Sequence, residues 1–83
     1  MRVLYFAWLK ARTGVAEEEV VPPGNVTDVR GLIAWLAARD DGHACAFADI
    51  EVIRAAVNQA HVGLDHPVGA GDEVAFFPPV TGG

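Results

Sequence analysis

An α+β fold, a mixed sheet with one main helix packed on one face, follows from three features of the 83-residue sequence. The first and last apolar segments, Val3 to Trp8 and Glu73 to Phe77, are rich in β-formers and read as strands. Between them, Val29, Leu32, Ile33 and Leu36 recur at helical spacing and make one apolar stripe. Shorter strand-like runs, bounded by Pro, Gly and Asn, lie on both sides of that stripe.

Taken in order, Val3 to Trp8 is the first strand, and Gly14 punctuates a short connection. Glu17 to Val21 is the second strand, closed by Pro22-Pro23-Gly24; its charges mark it as an edge strand, where unpaired backbone needs guarding. Thr27 or Asp28 caps the helix, which is expected to run to about Arg39 and stop at Asp40-Asp41-Gly42. Gly31 inside it costs about 1 kcal/mol relative to Ala, which points to close packing or to tolerance. Residues 43 to 51 are ambiguous, with a short helical turn expected around Ala44 to Ala48. Ile53 to Val57 is a strand, Asn58-Gln59 a turn and His61-Val62 a short strand. Asp65-His66-Pro67 and Gly69-Ala70-Gly71-Asp72 are loops, and Pro78-Pro79 closes the last strand because proline cannot continue a central ladder.

The order β-β-α-β-β-β, with the first and last strands central and parallel, is the ubiquitin-like β-grasp arrangement. The first strand is apolar on both faces: Val3, Tyr5 and Ala7 point one way, Leu4, Phe6 and Trp8 the other. The last strand repeats this, with Val74 and Phe76 against Ala75 and Phe77. One helix covers only one face of a small sheet, so either loops or a partner cover the second. Phe6 and Phe77, with His61 nearby, are expected on that second face as anchors for a partner.

Composition limits the function. Eighty-three residues are read as a single domain, 1–83, with a flexible tail over 78–83. A net charge of −5, with only six Lys and Arg, argues against a nucleic-acid partner. The apolar run from Val3 to Leu9 stops at Lys10, short for a leader or a membrane span, so a cytoplasmic protein without a membrane partner is expected. The lone Cys45 makes no internal disulfide, is expected to be a small packed thiol, and fits a reducing compartment. His43, His61 and His66 share no metal-ligand spacing. Glu17-Glu18-Glu19 and Asp40-Asp41 read as solvated charge runs. Gly69-Ala70-Gly71 lacks a following lysine and precedes a strand, so it is not a phosphate loop. No bound cofactor and no metal are expected.

The reactive group is instead expected at the end of the chain, Pro78-Pro79-Val80-Thr81-Gly82-Gly83. Gly82 and Gly83 have no Cβ and make a slim tip that enters a narrow channel. The two prolines hold the base extended, and the arm from Pro78 to Gly83 reaches about 20 Å. A carboxylate acylates nothing until it is activated. Adenylation makes Gly83 electrophilic, and attack by sulfur leaves a thiocarboxylate. With no nucleotide site of its own, the chain is expected to have this done by another enzyme.

The run from Gly71 through Glu73-Val74-Ala75-Phe76-Phe77-Pro78-Pro79-Val80-Thr81 to Gly82-Gly83 resembles the small, sulfur-carrier subunits of molybdopterin synthase, the MoaD-type proteins. Ala56-Val57-Asn58, Asp65-His66-Pro67 and Val3-Leu4-Tyr5-Phe6-Ala7, followed by Lys10 and Gly14, support the likeness. The resemblance implies a cycle. A ubiquitin-E1-like enzyme adenylates Gly83 with ATP, and a sulfur-donor enzyme converts it to a thiocarboxylate. The arm then enters the large, catalytic subunit of a heterotetrameric synthase. There its sulfur passes to cyclic pyranopterin monophosphate to build the molybdopterin dithiolene, a step in molybdenum cofactor biosynthesis. In this scheme the small subunit is not itself catalytic. Phe6, Lys10, His61, Phe77, Pro78, Pro79, Val80 and Thr81 are its partner contacts. A sulfur carrier for thiamine thiazole synthesis and a ubiquitin-like protein modifier share the activation chemistry and remain alternatives.

Overall fold

The computed structural model describes residues 1–79. Its five strands are β1 (Arg2–Tyr5), β2 (Glu17–Glu19), β3 (Arg54–Val57), β4 (Ala60–Val62) and β5 (Glu73–Phe77). They form one mixed sheet in the order β2-β1-β5-β3-β4. β1 and β5 run parallel in adjacent inner positions, and every other pair is antiparallel. This is the expected β-grasp topology, with the acidic β2 on an edge.

Three helices accompany the sheet, where one main helix was expected: α1 (Trp8–Thr13), α2 (Val29–Ala37) and α3 (Asp41–Ala46). The first strand therefore ends at Tyr5, not Trp8. Ala7 takes φ 55° and ψ −132°, the first corner of a type II′ turn, and the Leu9 N–H donates to the Phe6 carbonyl at 3.1 Å. That corner turns the chain into α1, which Gly14 closes in the left-handed conformation with φ 84°. Leu9 is buried, and the Arg12 guanidinium sits 4.5 Å from the Trp8 ring. The second strand also ends early, at Glu19. Val20 still donates to the Met1 carbonyl and is buried, whereas Val21 is 92% exposed.

α2 buries the four residues of its stripe. Asp28, rather than Thr27, is the cap: its carboxylate accepts from the Gly31 N–H at 2.7 Å. A Cβ on Gly31 would stand 3.1 Å from that carboxylate oxygen, so the glycine reflects close packing against the cap. The Val29 N–H donates to the His66 carbonyl, the Arg30 N–H to the Leu64 carbonyl and the Leu32 N–H to the Asp28 carbonyl. The three N–H groups that follow the cap, those of Val29, Arg30 and Gly31, are thus satisfied, two of them by the loop that carries Asp65-His66-Pro67.

Asp40-Asp41-Gly42 does more than stop a helix. Asp40 caps α3, accepting from the His43 N–H at 2.8 Å. A Cβ on Gly42 would lie 2.6 Å from the Arg12 carbonyl oxygen, so only glycine lets α3 approach α1 this closely. Cys45 is exposed on α3 rather than packed, because the core-facing positions of this short helix are His43 and Ala46. One turn of 3₁₀ helix, Ile50–Val52, leads into β3.

β3 and β4 meet at Asn58-Gln59, whose φ values of 50° and 72° define a two-residue turn of type I′. Asn58 also ties the hairpin to β5. Its side chain donates to Asp72 Oδ1 at 2.9 Å and accepts from the Glu73 N–H at 3.0 Å, while its own N–H donates to the Glu73 carbonyl. Asn58→Ala combines left-handed strain with the loss of two hydrogen bonds. It is expected to lower the unfolding free energy by about 2 kcal/mol in urea titration. Asn58→Gly keeps the turn and is expected to cost less.

Candidate functional site

The parallel pairing of β1 and β5 brings the C-terminal ends of both strands to one pole. Register sets what lies on each face. Val3 pairs with Val74 and Tyr5 with Phe76, and all four are buried towards the helices. The intervening residues turn outward. Glu17, Leu4, Ala75, Ala56 and His61 form one row straight across the sheet, from edge to edge. Two residues further towards the pole lie Phe6 and Phe77, with Arg54 opposite Phe77 in register.

Phe6 is half exposed, at 50%, and its N–H donates to the Phe76 carbonyl at 3.1 Å, which holds it beside β5. Phe77 is half-buried, and its ring lies 5.1 Å from the exposed His61 ring at 48°. Phe6, Phe77 and His61 therefore share the face away from the helices. Trp8, expected on that face too, is carried off it by the turn at Ala7 into α1. Lys10 is exposed on α1, directly after Phe6. Pro78 and Pro79 follow β5 and are half-buried. Val80, Thr81, Gly82 and Gly83 lie outside the described residues.

The opposite end of this face is charged. Arg2 stands 3.5 Å from both Glu17 and Glu19, in exposed pairs that contribute little to stability but keep that end wet. The face thus divides into an apolar half at the pole where the chain leaves β5 and an ionic half away from it. A cavity of about 440 Å³ lies elsewhere, at the opposite pole, between Val20 to Gly24, Val26, Val68 and Met1. Its lining contains no acidic, histidine or cysteine side chain.

A second polar group was missed in the sequence. Glu18 and His43 are not solvated. The Tyr5 hydroxyl donates to Glu18 Oε2 at 2.7 Å, and the buried His43 ring lies between Glu18 and Asp40. Burial and then the bond to Glu18 push the Tyr5 hydroxyl far above its ordinary value. Burial acts to raise Glu18, but the bonds from Tyr5 and His43 outweigh it and leave the carboxyl below its usual range. The signal was available in strand alternation, since Glu18 pairs with the inward-facing Val3. Among the described residues, no group of three or more His, Cys, Asp and Glu is placed to hold a metal ion.

Comparison with known proteins gives the family. The model of the ThiS family matches residues 3–83. The chain is 45% identical over 83 residues to the molybdopterin synthase sulfur carrier subunit of Escherichia coli K12, covering 100% of this chain and 99% of that protein. It is 34% identical to the protein of the same name from Mycobacterium tuberculosis H37Rv, over 100% of this chain and 96% of the relative. Among solved structures, a candidate molybdopterin converting factor subunit 1 from Pyrococcus furiosus superposes with TM-score 0.77 at 34% identity, over 95% of each chain. SAMP1 of Haloferax volcanii superposes with TM-score 0.74 at 27% identity, over 100% of this chain and 98% of the other.

Phe76 on β5 and Phe6, just past the end of β1, differ in kind. Phe76→Ala empties a fully buried site and is expected to cost about 3–5 kcal/mol of unfolding free energy. Phe6→Ala, from a half-exposed position, is expected to cost about 1 kcal/mol or less in the same urea titration.

Proposed function

The chain belongs to the ThiS family, and from that premise we propose that it is the sulfur-carrier subunit of a molybdopterin synthase. The observation that carries this reading is likeness along the whole chain to curated sulfur carrier subunits, 45% for the protein of Escherichia coli. In this reading the chain acts as substrate and carrier. A partner of the E1-like kind binds ATP and transfers AMP to the Gly83 carboxylate, releasing pyrophosphate. Sulfide-level sulfur delivered by a donor enzyme attacks the acyl carbon, displaces AMP and leaves a thiocarboxylate. The apolar half of the sheet face then docks on the large subunit, with Phe6 and Phe77 as anchors and His61 and Lys10 beside them. Docking aims the arm from Pro78 through Val80, Thr81 and Gly82 at the large subunit's active site. There the sulfur passes to cyclic pyranopterin monophosphate, and two such transfers build the dithiolene. Catalytic groups for that step belong to the large subunit; this chain binds no cofactor of its own, and ATP is used by the activating partner. The setting is the cytoplasm.

The geometry favours this docking for a physical reason. Two aromatic side chains and a histidine ring stand on the sheet face that, among the described residues, is turned away from the helices, next to the point where the arm begins. Desolvated aromatic anchors of this kind dominate binding energy at interfaces. The likeness to SAMP1, a structure also described as a small archaeal modifier protein, supports a second reading in which Gly83 is joined to lysines of other proteins. An isopeptide ladder on target proteins would identify that use.

Phe77→Ala is expected to weaken binding to the large subunit by about 1 kcal/mol or more in calorimetry, while the chain stays folded. Unfolding of this variant would place Phe77 in the core instead. Deletion of Gly83 is expected to leave thermal stability unchanged and to abolish molybdopterin formation in a reconstituted assay. Undiminished product from the shortened chain would refute the carrier role.

A further inference from the structure

His43 presents both of its ring nitrogens to carboxylates. Nε2 lies 2.7 Å from Glu18 Oε2, and Nδ1 lies 2.8 Å from Asp40 Oδ1. A neutral imidazole has a single N–H, and an ionised carboxylate only accepts, so two such bonds need a proton on each ring nitrogen or on a carboxyl. The carboxyl oxygens are already taken. Glu18 Oε2 accepts the Tyr5 hydroxyl at 2.7 Å, and Asp40 Oδ1 accepts the His43 backbone N–H at 2.8 Å. Arg39 stands 3.7 Å from the other oxygen of Glu18 and favours its negative form. The protons therefore belong on the ring.

We infer that His43 is a proton-operated clasp. As an imidazolium it bridges Glu18 on β2 and Asp40 at the head of α3 and fastens α3 to the sheet; when it loses its proton, one bond fails and α3 is released. The groups around it come from every neighbouring element. Tyr5 of β1 meets the ring edge-on at 5.8 Å, Glu18 comes from β2, and Arg39 and Asp40 come from the segment between α2 and α3. From α1, Arg12 reaches the Cys45 carbonyl on α3 at 3.4 Å. Because Gly42 packs directly on the Arg12 carbonyl, α3 in turn holds α1, the helix that follows Phe6.

The pH dependence follows from the same contacts. Burial acts against the charge on His43, but the bonds to Glu18 and Asp40 outweigh it and raise the ring above the ordinary histidine value. A base that binds its proton more tightly when folded stabilises fully below the unfolded value of about 6.5. That stability is lost as pH rises through the folded value. The carboxylates behave in the opposite sense. The His43 backbone N–H and then its ring hold Asp40 below the usual carboxylate range, and Glu18 is also depressed. Their contribution is lost as pH falls through those lowered values. The clasp is closed between these limits.

The test is a titration of the uniformly ¹⁵N-labelled full chain from about pH 5 to about pH 10, following the His43 ring nitrogens and amide hydrogen exchange together. The expected result is a midpoint above about 6.5, with both ring nitrogens protonated and hydrogen-bonded below it. Protection of the amides from Ala44 to Phe47, corrected for intrinsic exchange, is expected to fall through that midpoint by up to about tenfold per pH unit of the shift. A midpoint at or below the ordinary value, or protection that stays level through the midpoint, would overturn the inference. Glu18→Gln supplies a further check, because it is expected to lower the midpoint; an unmoved midpoint in the folded variant would also count against the clasp.

Discussion

The parallel ladder between β1 and β5 is the interaction on which the other features depend. It aligns Val3 with Val74 and Tyr5 with Phe76, so the centre of the core is built from matched residues of the two chain ends. A parallel pair needs a long crossover, and the intervening chain supplies it as helices on one face and a hairpin at one edge. The same register turns Leu4 and Ala75 outward together, and it leaves Phe6 and Phe77 side by side where both strands finish. One pairing thus builds the core, turns Phe6 and Phe77 to the outer face and sets where the chain leaves β5.

Short polar side chains then fasten each junction to this frame. Asp28 caps α2 and Asp40 caps α3, while Asp72 accepts from Asn58 and from the Gly69 N–H and so closes the loop before β5. The bond from Asn58 and then that from Gly69 hold the Asp72 carboxyl below its usual range. Part of the chain's acidic excess is therefore structural: these carboxylates replace backbone acceptors where helices and strands begin. Ala7 is the exception. It holds a corner that glycine normally takes, and it stands between Phe6 on the sheet face and the helix that carries Lys10.

Periodicity revealed the elements that bury one face. The α2 stripe, the central strands, the acidic edge and the Asn58-Gln59 turn were all legible because alternation, helical spacing and turn residues act locally. Phe6-Ala7-Trp8-Leu9 was misread because an unbroken apolar run looks the same as strand or helix, and no Gly or Pro announces the corner. Asp40-Asp41-Gly42 reads as a stop or a start, and only tertiary packing of Gly42 on α1 decides between them. The Tyr5–Glu18–His43–Asp40 group was hidden because its members are far apart in sequence and the flanking glutamates are exposed. The placement of Phe6 and Phe77 on the face away from the helices was legible from the surplus of apolar side chains on two-faced strands, whereas the arm's last four residues fall outside the described residues.

In the proposed reading the chain is a carrier whose fold presents rather than catalyses: the sheet's outer face serves recognition, the helical layer stability, and the chemistry is assigned to the end of the chain. The most direct test is intact mass spectrometry of the full chain after incubation with an E1-like activating enzyme, ATP and a sulfur donor. The account predicts a mass increase equal to exchange of one oxygen for one sulfur, located at Gly83 by fragmentation. An unchanged mass, although the activating enzyme consumes ATP in the same incubation, would contradict it.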